Sequence, residues 1–118
     1  MASLNVMIVE DEPLIAMAME ALVEDEGGKV LGPFSNMSAA LKAAQFAQDI
    51  DCAMLDYNLG KESSAPVADA LAARNIPFVF ISGQGLKDID KRFSGRPVLQ
   101  KPVEDAALKR FLRQHARR

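Results

Sequence analysis

Only one cysteine occurs in this chain, so no internal disulfide framework is available. Cys52 lies inside the apolar run Cys52-Ala53-Met54-Leu55 and reads as a buried core thiol. The lack of cystines fits a reducing, cytoplasmic compartment. No apolar stretch is long enough to span a bilayer, and no signal peptide is visible at the N-terminus, so no membrane association is expected. No internal repeat, linker or low-complexity tail interrupts the chain. Net charge is only −2, which argues against whole-molecule attraction to nucleic acid. What remains is one domain of 118 residues in which 49% hydrophobic content can supply a core.

The charge is unevenly spread. Glu10, Asp11, Glu12, Glu20, Glu24, Asp25 and Glu26 crowd the first quarter, and Lys109, Arg110, Arg113, Arg117 and Arg118 crowd the end. The basic end reads as a solvated helix face, favoured by the helix dipole.

Leu4 to Val9 is a continuous apolar run of the kind a parallel strand shows when both its faces are covered. Pro13 suits the first turn of a helix, in which Ile15, Ala18, Met19, Leu22 and Val23 recur at helical spacing until Gly27-Gly28. Val30 to Phe34, broken by Gly32 and Pro33, reads as an edge strand. Asn36 or Ser38 can cap a second helix with the stripe Met37, Ala40, Leu41, Ala44 and Ala47. Cys52 to Leu55 forms a third strand and Asp56 to about Ser63 a polar loop. A third helix starts at Ser64-Ala65-Pro66, with Val67, Ala68, Leu71 and Ala72 inward, and ends at Asn75-Ile76-Pro77.

Phe78 to Ile81 is the fourth strand. Ser82 to Arg96 is rich in glycine and poor in apolar residues, and is expected to be irregular or mobile, with at most two helical turns between Leu86 and Phe93. Pro97 to Leu99 gives a fifth strand. Glu104 to Ala116 gives a last helix with Val103, Ala107, Leu108, Phe111, Leu112 and His115 on one face; His115 is read as core or surface filler. Five strands alternating with helices predict an α/β, doubly wound parallel sheet.

In such a sheet, residues just past the strands gather at one edge, where open sheets bind ligands. They are Glu10, Asp11 and Glu12 after the first strand, Asp56 and Asn58 after the third, Ser82 after the fourth and Lys101 after the fifth. Clustered carboxylates repel one another, and a hard divalent cation relieves that repulsion; magnesium takes one or two carboxylates, water and phosphate oxygens. Asp56 can act as a nucleophile on a phosphoryl group. The cation and Lys101 would neutralise charge on the phosphoryl oxygens, and the Ser82 hydroxyl can hydrogen-bond one of them. Tyr57 is placed at the pocket rim without an assigned role.

Four segments carry a resemblance: Val6-Met7-Ile8-Val9-Glu10-Asp11-Glu12-Pro13, Met54-Leu55-Asp56-Tyr57-Asn58-Leu59, Phe80-Ile81-Ser82-Gly83 and Gln100-Lys101-Pro102. Together they resemble the receiver domain of bacterial two-component response regulators, over essentially the whole chain. The resemblance implies a flavodoxin-like (βα)5 fold with strand order 2-1-3-4-5. It implies a phosphorelay protein that takes a phosphoryl group from a histidine kinase onto Asp56. Asp11, Asp56 and the Asn58 backbone carbonyl would hold Mg2+, with Glu10 acting through water. Ser82 would be the switch hydroxyl and Lys101 the phosphate-binding lysine, held by a cis Lys101-Pro102 bond.

Two departures are visible. Val98 stands where the family usually has an aromatic switch residue, and only eighteen residues separate Ser82 from Lys101, so the fourth helix should be short or disordered. With Pro77-Phe78 and Gly83-Gln84-Gly85, these are similar to the FAT GUY receivers of alphaproteobacteria, whose partners are HWE-class histidine kinases. The match is partial, since Phe80-Ile81-Ser82-Gly83-Gln84-Gly85 stands for Phe-Ala-Thr-Gly-Tyr-Gly. A disorder-to-order change in residues 83–96 is the expected readout.

Residues 1–118 are thus expected to be a single receiver with no output domain, signalling by protein contacts or acting as a phosphate sink, as a monomer or weak dimer. It is expected to be no enzyme beyond self-phosphorylation and self-dephosphorylation. One alternative is a Mg2+-dependent phosphohydrolase with an aspartyl nucleophile; Asn58 stands where that class carries its second Asp, and no substrate cap is present. The other is a degenerate receiver that works unphosphorylated, against which the intact Asp56, Asp11 and Lys101 speak.

Overall fold

Alternate residues along the central strands point into two separate apolar layers. Met7, Val9, Ala53, Leu55, Phe78 and Phe80 join one cluster, while Val6, Ile8, Cys52, Met54, Val79 and Ile81 join the other. A strand apolar on both faces must be covered on both, which is why these runs do not alternate with polar residues. The computed structural model describes residues 4–116, and Arg117 and Arg118 of the basic end lie outside them. β1 (Asn5–Val9), β2 (Lys29–Phe34), β3 (Cys52–Asp56), β6 (Phe78–Ser82) and β7 (Val98–Gln100) form one parallel sheet in the order β2-β1-β3-β6-β7. This is the predicted flavodoxin-like order, second-first-third-fourth-fifth. Helices α1 (Pro13–Asp25) and α4 (Asp105–His115) pack together over one face, and α2 (Met37–Phe46) and α3 (Ala65–Ala73) over the other.

Local chemistry sets the boundaries. The Asn36 side chain caps α2 by accepting from the Ala39 N–H at 2.9 Å. Gly27 stops α1 at φ +80°, a region costly for any other residue. β2 is an edge strand as predicted, and its pairing with β1 slips between Met7 and Val9. Gly32 sits at that slip with φ +104°, and a Cβ there would meet the Ile8 carbonyl oxygen at 2.8 Å.

Three expectations change. Ala18 is exposed and Ala16 takes its place, because the buried stripe of α1 runs Ala16, Met19, Leu22 and Val23. The polar loop after Asp56 contains a small antiparallel hairpin, β4 (Asn58–Leu59) with β5 (Glu62–Ser63), turning at Gly60. Tyr57 is not at the rim: it is buried, edge-on to Phe80 at 5.2 Å between ring centroids.

The segment between β6 and β7 is irregular, as expected, with 3-10 turns at Gly85–Asp88 and Lys91–Phe93 in place of a fourth helix. It is nonetheless anchored. Phe93 is buried, with its ring 5.1 Å from Phe80 and 6.3 Å from Phe78. The Tyr57 hydroxyl accepts from the Asp90 N–H at 3.2 Å, and the Arg92 guanidinium grips both oxygens of Asp69 on α3 at 3.1 and 2.9 Å. Phe93, with the partly buried Ile89 beside it, thus stands in for a helix's apolar stripe. Phe93→Ala is expected to lower stability by about 3 kcal/mol, the low end for deleting a core aromatic near the surface. Leu86→Ala, whose side chain is exposed, should move it by less than ~0.5 kcal/mol in the same urea titration.

Candidate functional site

The ends of β1 and β3 lie side by side in register, Val9 opposite Leu55, so the residues that follow them meet. Glu10 and Asp56 are both buried there. Two carboxylates out of water need partners, and each has specific ones. Asp56 Oδ1 accepts from the Asn58 N–H at 3.3 Å, and its Oδ2 lies 3.0 Å from Lys101 Nζ. Glu10 Oε2 accepts from the Glu12 N–H at 3.2 Å. Lys101 Nζ also comes within 3.5 Å of Glu10 Oε1, too long and ill-directed for a hydrogen bond, so that buried oxygen lacks a hydrogen-bond partner among the described residues.

Lys101 reaches this point from two strands away. Its own N–H donates to the Ser82 carbonyl at 2.9 Å, fixing the chain just past β7 against the end of β6, and the bond to Pro102 is cis. Asp11, half-buried, accepts from the Gly60 N–H at 3.0 Å, so the tip of the β4–β5 hairpin steadies it. Ser82 is fully buried; its oxygen accepts from the Gln84 N–H at 3.1 Å and its proton goes to Asp88 Oδ2 at 3.3 Å. The Asn58 side chain is exposed and donates to the same Asp88 oxygen at 3.4 Å. Glu10, Asp11, Asp56, Asn58, Ser82 and Lys101, all singled out from the sequence, therefore stand at this sheet edge. Asp88 was not among them, and nothing in the irregular stretch that holds it would have marked it.

The electrostatics follow from burial. Desolvation pushes the Glu10 carboxyl up, the neighbouring Asp56 adds to it, and the Glu12 N–H and Lys101 oppose; the result is about 7. Burial would lower the Lys101 ammonium, but its hydrogen bond to Asp56 and the charges of Asp56 and Glu10 outweigh that and raise it. The lysine thus stays charged at neutral pH while the two buried acids compete for a single cation.

One oxygen each from Glu10, Asp11 and Asp56 lie within 4.8 Å of one another. Oxygens on opposite sides of a magnesium ion are about 4 Å apart, so small shifts would let several of these reach one ion. The unpartnered Glu10 oxygen and the excess of carboxylate over ammonium charge fit a hard divalent cation. Buried Cys52 takes no part, its thiol pushed up to about 12 by burial, with Asp51 adding to the rise. His115 packs at 4.8 Å against the Phe111 ring, away from these groups, and burial lowers it.

The family of the response regulator receiver domain matches residues 6–113, from β1 through most of α4. The chain belongs to this family. Among solved structures, SdrG from Sphingomonas melonis Fr1 is 45% identical, with a TM-score of 0.79 and 91% of each chain covered. The phyllosphere-induced regulator PhyR of Methylorubrum extorquens is 38% identical over 80 residues, 66% of this chain. The receiver spans 30% of that relative's length. The receiver domain of the sensor histidine kinase PA1611 from Pseudomonas aeruginosa, a structure with magnesium coordinated in its active-site cleft, has the same fold (TM-score 0.80, 23% identity, 97% and 98% of the two chains covered). Among the described residues no helix is long and apolar enough to cross a membrane.

The raised Glu10 makes metal-free stability depend on pH. The folded receiver holds this proton to about pH 7 and the unfolded chain releases it near 4.5, so the stabilisation is complete below ~4.5 and is lost as pH rises through ~7. In EDTA, unfolding free energy should fall by roughly 3 kcal/mol across that window, and Glu10→Gln should flatten most of the slope. A flat wild-type profile would show that Glu10 ionises normally.

Proposed function

We propose that this receiver accepts a phosphoryl group on Asp56 from a histidine kinase, with Mg2+ as cofactor. The observation that carries the reading is the buried Asp56 carboxylate, held 3.0 Å from Lys101 Nζ beside Glu10 and Asp11. A magnesium ion bound there supplies positive charge that offsets the negative charge on the phosphoryl oxygens. Asp11, Asp56 and the Asn58 backbone carbonyl would hold it, with Glu10 acting through water.

An Asp56 carboxylate oxygen attacks phosphorus. The O–P bond forms as the bond from phosphorus to the donor's imidazole nitrogen breaks, and that nitrogen keeps the electron pair. Lys101 keeps its proton throughout and stabilises the oxygens that gain charge. Ser82 offers its hydroxyl to one of them. The burial that raises Glu10 also strengthens each of these interactions, because little water competes inside the pocket.

A partner has a place to approach. An apolar groove of about 490 Å³ runs between α1 and α4, lined by Leu14, Ile15, Met19, Pro102 and Leu108, and Lys101 forms part of its wall. Leu14 and Met17 are 81% and 62% exposed on α1. A kinase helix seated there would bring its phosphohistidine toward the lysine that touches Asp56. The segment replacing the fourth helix supports a donor of the HWE class. The output is a protein contact or a phosphate sink, from a monomer or weak dimer.

Incubation with acetyl phosphate and magnesium should add one phosphoryl group by mass spectrometry, lost in Asp56→Asn and in EDTA. Lys101→Ala should slow the reaction by roughly 100-fold or more, the usual scale for removing one preorganised partner of transition-state charge. No adduct from acetyl phosphate or from a cognate kinase would refute the reading, and steady turnover of phosphate esters would favour a hydrolase. Leu14→Asp should slow transfer from a kinase while leaving the reaction with acetyl phosphate within twofold of wild type, since only the former needs the groove.

A further inference from the structure

The Ser82 hydroxyl has one proton, and a hydroxyl donates to one acceptor at a time. In this structure the acceptor is not at Asp56 but is Asp88 Oδ2, at 3.3 Å, in the turn Gly85–Asp88. The same oxygen takes a second hydrogen bond from the Asn58 side-chain amide at 3.4 Å. One carboxylate from the irregular segment therefore occupies donors from the ends of two strands. Asp88 is half-buried and makes no ion pair among the described residues, so its side chain is held by these two contacts.

We infer that Asp88 is a positioning residue that holds the Ser82 hydroxyl and the Asn58 amide while Asp56 is unmodified, and that a phosphoryl group on Asp56 displaces it. The inference rests on the receiver chemistry proposed for Asp56. Two physical reasons support displacement. A phosphoryl oxygen and Asp88 cannot both receive the single Ser82 proton. Like charges also repel, and a phosphoryl group brings more negative charge to this edge than the carboxyl it caps.

Release has a defined route outward. The Ser82 oxygen is also the acceptor for the Gln84 N–H at 3.1 Å, so turning the hydroxyl disturbs the start of the same segment. Once Asp88 lets go, the turn Gly85–Asp88 with its exposed Leu86 is held only from its flanks, where Gln100 Nε2 donates to the Gly83 carbonyl at 3.4 Å, Ile89 packs on the core and the Asp90 N–H meets the Tyr57 hydroxyl. Occupancy of Asp56 is thereby read out as freedom of residues 84–88, the reverse of the disorder-to-order change expected from the sequence.

Coupling is reciprocal at equilibrium: loss of the Asp88 contact favours the phosphorylated state by as much as phosphorylation disfavours the contact. The rate of uptake gains to the extent that the transition state already draws on the Ser82 proton. Both hydrogen bonds are at the long end of the useful range, so the latch is weak and the effect modest. Asp88→Ala is expected to take up phosphoryl from acetyl phosphate about fivefold faster than wild type, the scale of one ordinary hydrogen bond. Its Gln84 amide resonance, without any phosphodonor, should move toward the position that the wild type shows with beryllofluoride. In the Ser82→Ala background, Asp88→Ala should lose most of its effect on rate, because the two act through one proton.

Equal rates for Asp88→Ala and wild type, together with an unmoved Gln84 resonance, would overturn the latch. So would full additivity with Ser82→Ala, which would show that Asp88 acts only as a distant charge. In either case a wild-type adduct that Asp56→Asn abolishes would leave the receiver reading standing. A wild type that takes no phosphoryl group removes both.

Discussion

Everything at the functional edge depends on bringing a counter-charge and a hydrogen-bond donor to Asp56, whose carboxyl is buried. A lone carboxylate out of water would take up a proton or disrupt the fold. Its neighbour Glu10 shows what happens without adequate compensation, being pushed up to about 7. Asp56 has the better partners, Lys101 Nζ at 3.0 Å and the Asn58 N–H at 3.3 Å. The lysine cannot come from an adjacent strand. β6 lies between β3 and β7, so the side chain must reach across the end of β6, and the Lys101 N–H bond to the Ser82 carbonyl sets its starting point. The strand order, the position of β7 and the cation are therefore one constraint: change the order and Asp56 loses its counter-charge.

That constraint explains why so much was legible in the sequence. Parallel strands covered on both faces write continuous apolar runs, and a polar residue directly after such a run can only be at the sheet edge. Glu10, Asp11, Asp56, Ser82 and Lys101 are each marked in this way. The order of strands was carried by the resemblance, and the registered pairs Val9–Leu55 and Asp56–Ile81 are what turn it into proximity. Helix stripes were legible to within a residue or two, and failed at Ala18 because a small apolar residue tolerates either side of an interface.

What was not legible shares a physical character. Phe93, Tyr57 and Asp88 owe their roles to tertiary contacts with no periodic companions. Phe93 is a single aromatic in a glycine-rich, charged stretch, and no hydrophobic period announces that it closes the cluster around Phe78 and Phe80. Tyr57 follows Asp56 and looks like part of a polar loop, yet its ring is core and only its hydroxyl is used outside. The hairpin β4–β5 has two residues per strand, too few to leave an alternation.

The segment that replaces a fourth helix combines these unseen features into a distinct mechanical design. A regular helix would be held by a stripe of side chains along its length and by its own backbone ladder. Here the hold is concentrated at points: Phe93 in the core, the Tyr57 hydroxyl on Asp90 N–H, Arg92 on Asp69, and Asp88 on Ser82 and Asn58. The Arg92–Asp69 pair is about half exposed on both sides, so screening leaves it roughly 0–1 kcal/mol. Phe93 is therefore the firm end and the turn Gly85–Asp88 the soft one. The soft end is the part that touches Ser82, beside the proposed phosphoacceptor. With Val98 in place of an aromatic switch, a change at Asp56 has no aromatic side chain on β7 to rotate. It has instead a short, weakly pinned stretch of backbone, bounded by Ile89 and Phe93 on the core, to which the inferred latch would confine the response.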